Sequence, residues 1–475
     1  MSKHIPRPVW LTLLACLSGC ALGPDYLRPA APVPAHWPAS PSSSASTSGE
    51  TAAPGVLLAA QGWRNFFPDP RLQVLIVLAL EHNRDLRIAT LRIDEARAFY
   101  GIQRAERLPN VDFSASRNAS LTPADLSLNG RQANAQRYDV GGGILSFELD
   151  FWGRVRRLNE AALASYLSRE EAQRAFRLSL IADVANAYYS QRELEERLRL
   201  ARATFDSRSA SRMLTGQRSR VGIAGDLDFL QADGAFEAAR ADLASLERSR
   251  AAAENLLHLL VGQAPTGSAN QLPAGLNLSE QSMVFNPLPD LPAEVLLRRP
   301  DVLAAEQRLI AANANIGAAR AAFLPRVTLT GALGTASRSL AGLFDAGSGA
   351  WSFQPVLRLP LFDAGRTQAS VDLATARQHI AVAEYEKTIQ QAFREVADLL
   401  AAREQLAEQL SALERADQIQ AERLRLTEAR YQAGIANYLE VLDAQRESYA
   451  VQQGAVQTRR ILLSTGAQLY KALGG

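Results

Sequence analysis

Cysteine is nearly absent from this chain of 475 residues: there are two, Cys16 and Cys20, both at the N-terminal end. No disulfide framework is therefore expected, and stability has to come from burial and assembly. Lysine is almost as scarce, occurring only at Lys3, Lys387 and Lys471, so the positive charge is carried by arginine. It is balanced by acid to a net charge of +2, which excludes the global basic field of a nucleic-acid binder. Five histidines are scattered without HExxH or any pair at ligand spacing, so no metal site is expected. His258, inside Glu254-Asn-Leu-Leu-His-Leu-Leu260, reads as a helix-packing residue. GxSxG, P-loop and GxGxxG patterns are missing too, and Gly141-Gly142-Gly143 sits in a strand-like run rather than before a helix. No constellation reads as an active site, and no enzyme activity or cofactor is expected.

What is present begins with an address. Lys3 and Arg7 precede an apolar stretch, Val9 to Leu17, and Leu17-Ser-Gly-Cys20 ends it with small residues. That stretch is too short to span a bilayer and has the form of a secretory signal. Its end resembles a bacterial lipobox, implying cleavage before Cys20 and a covalent lipid on the Cys20 thiol. Ala21 follows, without the aspartate that commonly retains such proteins at the inner membrane. Residues 1–19 are thus read as signal and 20–60, rich in Pro, Ser and Ala, as an extended lipidated tether.

The remainder is written twice. Asp85 to Val111 aligns without gaps on Asp301 to Val327, matching Gly101 with Gly317 and Leu108-Pro109 with Leu324-Pro325. Leu149, Gly153 and Arg154 fall on Leu361, Gly365 and Arg366, and Gly222-Ile-Ala224 falls on Gly434-Ile-Ala436. Residues 61–270 and 271–475 are the two expected repeats. The spacing is far too long for a solenoid.

Within the first repeat, apolar or small residues recur at helical spacing from Leu75 to Leu108, where Pro109 stops them. Arg154 to about Thr215 has no proline and almost no glycine, and Phe176, Leu180, Ala187, Leu194, Leu198, Ala201 and Phe205 step by three, four or seven. Roughly 60 residues at 1.5 Å each predict a rod of about 90 Å, a coiled-coil length. Gly365 to Tyr431 predicts another, and each rod turns back, at 216–225 and 432–437, into a second helix over 226–261 and 437–472. Strands are expected at Val111 to Ser116, Gly143 to Leu149, Val327 to Leu333 and Trp351 to Leu361. Their alternation suits tilted membrane strands, although a half-buried soluble hairpin alternates in the same way. Four strands cannot close a barrel alone, because an open edge in hydrocarbon leaves backbone groups unpaired.

Cys20 to Pro29 (CALGPDYLRP), Phe67 to Leu72 (FPDPRL), Arg298 to Asp301 (RRPD), Ala311 to Arg320 (AANANIGAAR) and Tyr431 to Glu440 (YQAGIANYLE) resemble the lipidated outer-membrane channels of tripartite efflux systems, the TolC/OprM/NodT type. The resemblance covers essentially the whole chain after the signal. It implies a mixed α and β membrane protein: a homotrimer sharing one twelve-stranded outer-membrane β-barrel, with long helical hairpins forming a periplasmic α-barrel and a belt from 262–292 and the chain ends. It also implies a passive exit duct in the outer membrane, joined to a periplasmic adaptor (membrane fusion protein) and an inner-membrane transporter of the RND type.

In that family, carboxylates near the helix turns narrow the periplasmic mouth; the matching positions are Glu440 and Asp443, with Tyr431 before the turn and Asp228 in the other hairpin. A hydrogen bond from Tyr431 to Asp228 is the expected lock. Glu440 and Asp443 share a helix face. The same residues also read as ordinary helix starts, Asn437 with Glu440 as a capping box and Asp226 as an N-cap. Ala436 stands where some relatives carry arginine, which leaves Arg218 or Arg220 to supply a cation. Gly222 and Gly434 are the expected turn glycines and the seat for an adaptor. Two other classes remain open on the residues alone: a lipid-anchored periplasmic coiled-coil protein, which gives no reason for paired strands in both repeats, and a secreted enzyme.

Overall fold

The computed structural model describes residues 23–35, 37, 58–128, 130–223, 225–263, 272–281 and 293–475, without the side chains of 58–61. Cys20 and most of the expected belt segment 262–292 lie outside them. In chain order the elements are α1 (Leu58–Phe66), α2 (Pro70–His82), α3 (Arg84–Ala105), β1 (Val111–Thr122), β2 (Ala133–Leu149), α4 (Arg154–Arg220), α5 (Asp226–Val261), α6 (Pro300–Ala321), β3 (Arg326–Ser337), β4 (Gly349–Arg358), α7 (Arg366–Gln432) and α8 (Tyr438–Ala472). Both rods, α4 and α7, are 67 residues long. The helix expected over 75–108 is instead two. Asn83 breaks it with an extended backbone, donating from its side chain to Leu260 O at 2.8 Å and capping α3 through Leu86 N at 2.9 Å. Helix α1 precedes the expected start of regular structure.

The chain forms two compact units, one from residues 23–30, Arg92–Glu170 and Ala304–Glu386, the other from Ala31–Leu91, Glu171–Leu303 and Lys387–Gly475. The first holds a four-stranded antiparallel sheet in the order β1-β2-β3-β4. Its register sorts the side chains by face. Leu149, Val327 and Leu357 form one row, Phe147, Leu329 and Pro355 the next, followed by Val111, Ile144, Gly331 and Phe353, and by Phe113, Gly142, Leu333 and Trp351. The opposite face carries Asp112, Gly143, Ala332 and Ser352, then Ser114, Gly141, Gly334 and Ala350. Phe113, Leu333, Trp351, Phe353 and Leu357 are all exposed. At one end of the apolar face stand Arg117 and Tyr138, a cation over a ring at 5.5 Å; at the other end of the sheet, on the opposite face, Glu148 sits between Arg154 at 2.7 Å and Arg326 at 2.6 Å.

Three strands run beyond the expected segments, β2 with 17 residues, whereas β4 ends at Arg358, short of the expected Leu361, because Pro360 cannot donate to the ladder. The extra part of β2 runs from Ala133 to Gly142, polar over Asn134 to Asp139 and glycine at Gly141 and Gly142, without a sustained apolar alternation. A bulge between Ile144 and Phe147 holds Ser146 at φ 52° and keeps Phe147 on the apolar face. In the same unit, α4 and α6 meet through alanines (Ala161 and Ala164 with Ala311 and Ala314), small side chains that let helices approach closely. The segment of residues 23–28 docks on α6: Asn313 Nδ2 donates to Pro24 O at 2.9 Å, and Glu306 accepts from Tyr26 OH at 2.9 Å and from Arg28 through two bonds of 2.7 Å.

The second unit contains the hairpins. Phe205 meets Phe236 at 5.1 Å and Arg212 pairs with Asp233 at 2.5 Å, so α5 runs back along α4. Arg459 pairs with Glu414 at 2.7 Å and Arg423 with Asp443 at 2.7 Å, so α8 runs back along α7. The hairpins join through Arg460 to Glu193 at 2.8 Å, Arg197 to Gln453, and Tyr449, which donates to Asp242 and packs against Leu194, Leu198, Ala201 and Leu246. At their base Asp69, wholly buried, accepts from Tyr188 OH at 2.7 Å, Leu276 N at 3.0 Å and Gln281 Nε2 at 2.5 Å while capping α2. Phe66, Phe67 and Tyr470 meet edge-on or tilted within one aromatic cluster of the same unit.

Candidate functional site

Both hairpin tips are built by the same device. In the first, Ile223 N donates to Arg218 O at 2.9 Å and Gly222 N to Ser219 O at 3.0 Å; in the second, Ile435 N donates to Arg430 O at 2.9 Å and Gly434 N to Tyr431 O at 3.0 Å. These are Schellman motifs, which satisfy the last helical carbonyls and require a left-handed residue. Gly222 and Gly434 both have φ 75°. Ile223 and Ile435 stand exposed at the tips.

The return helices start differently. Asn437 Oδ1 accepts from Glu440 N at 2.9 Å, a side-chain cap on α8. On α5 the cap is Gly225, without a side-chain bond, and not Asp226. Asp226 has turned back to accept from Ser219 Oγ at 3.1 Å, tying the turn to α4 instead.

The four expected gate residues share the tip region but are partnered otherwise than anticipated. Tyr431 OH accepts from Arg218 Nη1 at 3.0 Å, with the guanidinium 5.7 Å from the ring centroid, so within the chain its phenol is engaged by Arg218 and not by Asp228. Asp228 bonds through its backbone, its amide donating to Gly225 O at 3.2 Å. Glu440 lies 3.7 Å from Arg430, and Asp443 lies 2.7 Å from Arg423 and 3.3 Å from Arg446. The acidic pair is therefore matched by arginines of its own hairpin, all exposed, each pair contributing little to stability in water. Arg423, Arg430 and Arg446 were not anticipated. The signal for two of them is in the sequence: Arg423 and Arg430 are seven apart on α7, and folding the hairpin about Gly434 brings that stripe to Glu440 and Asp443.

Tyr438, the first residue of α8, lies 5.9 Å from Tyr431 ring to ring, and is buried. Beside it, on α4, is Arg208, also buried and shifted below the usual guanidinium pKa by desolvation, with Tyr438 opposing that shift. Between this contact and Tyr449 the hairpins enclose a groove of about 1500 Å³.

The outer membrane efflux protein family matches residues 75–263 and 291–475, both halves of the chain. The chain belongs to that family. It is a family of transport proteins rather than of enzymes. The toluene efflux pump outer membrane protein TtgC of Pseudomonas putida is 44% identical over 97% of this chain and 93% of its own length. The antibiotic efflux pump outer membrane protein ArpC, also of Pseudomonas putida, matches to the same extent, 44% over 97% and 93%. Among solved structures, the open state of the MtrE outer membrane channel of Neisseria gonorrhoeae is similar with a TM-score of 0.83 and 40% identity, over 96% of this chain and 98% of that one.

Proposed function

We propose that this efflux family member is the outer-membrane exit duct of a tripartite pump, passively conducting substrates handed to it by an inner-membrane transporter of RND type through a periplasmic adaptor. The observation that carries this reading is the sheet: rows of apolar side chains from all four strands lie on one face, exposed or half-buried, and are bounded at one end by Arg117 and Tyr138. Water would not tolerate that face; lipid would. A coiled-coil adaptor has no use for it. The sheet has two free edges, β1 and β4, so three chains are proposed to close one barrel of twelve strands. The hairpins of the two repeats, 61–270 and 271–475, would line the periplasmic tube. Lipid on Cys20 would add an anchor, each buried methylene contributing about 0.8 kcal/mol.

The tips are proposed as the mouth, with Asp228, Tyr431, Glu440 and Asp443 as its gate and the turns at Gly222 and Gly434 as the seat for the adaptor. Relatives named for toluene and for an antibiotic stand at the same identity, and a water-filled tube has little chemistry by which to choose its cargo. Single-channel recording in planar bilayers tests the reading. Purified protein should open ion-conducting pores, and replacing Tyr431 with Phe and Asp228, Glu440 and Asp443 with Ala together should raise conductance and weaken cation selectivity. A quadruple variant that conducts and selects as wild type would reduce these residues to helix caps, and protein that forms no pores would remove the duct itself.

A further inference from the structure

The second hairpin touches the first in two zones separated by the groove. Below it, Tyr449 packs into an apolar cluster and donates to Asp242. Above it, Arg218 holds Tyr431. Arg208 forms part of the groove wall yet is 6% exposed, and its Nη1 is buried with no hydrogen-bond partner; the Tyr438 hydroxyl beside the guanidinium is a neutral neighbour and no counter-ion. The other tip arginines differ. Arg212 has Asp233, Arg423 has Asp443, Arg430 has Glu440, and Arg218 has the Tyr431 hydroxyl.

A guanidinium does not shed its proton in proteins, so Arg208 stays charged where it is buried. Leaving one of its donors unpaired costs free energy, and an apolar side chain of similar volume in such a place is often neutral or stabilising. The unpaired nitrogen is enclosed within a single chain. A second copy or a docked protein reaches it only if the first turn of α8 moves away from α4, and the same movement exposes it to water. Tyr438 and Arg208 thus sit at a contact that the fold closes incompletely, beside a groove into which the helices can part.

We propose that Arg208 is a positioning residue that loads the seated tip: its enclosed, partnerless guanidinium nitrogen disfavours the arrangement in which the first turn of α8 lies against α4, and so biases the mouth toward opening. This rests on the reading of the tips as the mouth. The consequence runs against the usual expectation for a charge at a contact. Removing it tightens the contact.

Spin labels at the exposed Val221 and Ile435 report the separation of the two tips by pulsed electron resonance on the reconstituted, full-length protein. Arg208→Met should shrink the displaced population by roughly tenfold, the equivalent of about 1.4 kcal/mol, and lower open probability in bilayers in parallel. Arg208→Lys, which keeps a buried charge, should leave the wild-type distribution. Arg208→Gln, neutral and polar, should move in the direction of Met and covers the case in which Met packs poorly. A distribution that is unchanged or broadened in both neutral variants overturns the proposal. A distribution that narrows while conductance stays constant upholds the role of Arg208 and discards the tips as the mouth.

Discussion

Asp69 illustrates how much one side chain can hold. One carboxylate oxygen caps α2 through Arg71 N at 2.8 Å, and the other gathers Tyr188, Leu276 and Gln281 from distant parts of the second unit. None of these partners is a cation, so removing the acceptor leaves several buried donors unpaired at once. Asp69→Ala should lower unfolding stability by about 3 kcal/mol or more, read as a shift of the denaturation midpoint in detergent. A midpoint close to wild type would mean that water replaces the carboxylate there. Tyr188 itself is pushed far above the ordinary phenol range by burial, with the Asp69 hydrogen bond adding to it. A phenol whose folded pKa is raised contributes stability that is complete below its unfolded value, about 10, and is lost as pH rises beyond it. The Tyr188 bond to Asp69 therefore weakens in alkali.

At the scale of elements, residues 23–28 are a strap. Gly23 lies so close to Gly317 that a Cβ on either would stand about 3.1 or 3.2 Å from the other's Cα. Asn313 and Glu306 hold it one and three helical turns further along α6. Glu306 is 7% exposed and Arg28 about half exposed, so most of what the pair contributes is placement of the segment rather than global stability. Glu306→Ala should release the backbone amides of residues 25–28 to rapid hydrogen exchange while shifting the melting temperature by only a few degrees; unchanged protection would assign the docking to Gly317 and Asn313 alone. Periodicity and the internal duplication made the long hairpins, their turns and the two turn glycines legible beforehand, because each is a local pattern repeated at a fixed offset. Partners brought together by tertiary structure were less legible. Asn83 breaks a helix by bonding to Leu260 O, 177 positions away, and Arg218 takes Tyr431 from 213 positions away. The upper part of β2 was missed because Asn134 to Asp139 is polar and joins the sheet through backbone pairing with β1.

For the whole molecule, the decisive feature is a sheet that cannot be complete. Four antiparallel strands leave β1 and β4 each with a row of unpaired backbone groups beside an apolar face, and the closed barrels known to span membranes have about eight strands or more. The rows at Gly331 and Leu333 cross all four strands and those at Val327 and Leu329 cross three, so the face that would meet lipid is already one surface and only its two margins need joining. Joining β4 of one chain to β1 of the next satisfies both margins by a single rotation, and a ring closes when the strands have curled through a full turn. Three chains give twelve strands. Because Cys20 would be the only cysteine left after signal removal, cysteines introduced singly along Val111–Thr122 and along Gly349–Arg358 can be paired without interference. Oxidation of such double variants in the membrane should give a ladder on denaturing gels that stops at three chain masses, and only for pairs whose side chains fall on the same face. A ladder that continues past three, or a stable membrane-inserted monomer whose β1 and β4 cysteines link within one chain, would remove the shared barrel.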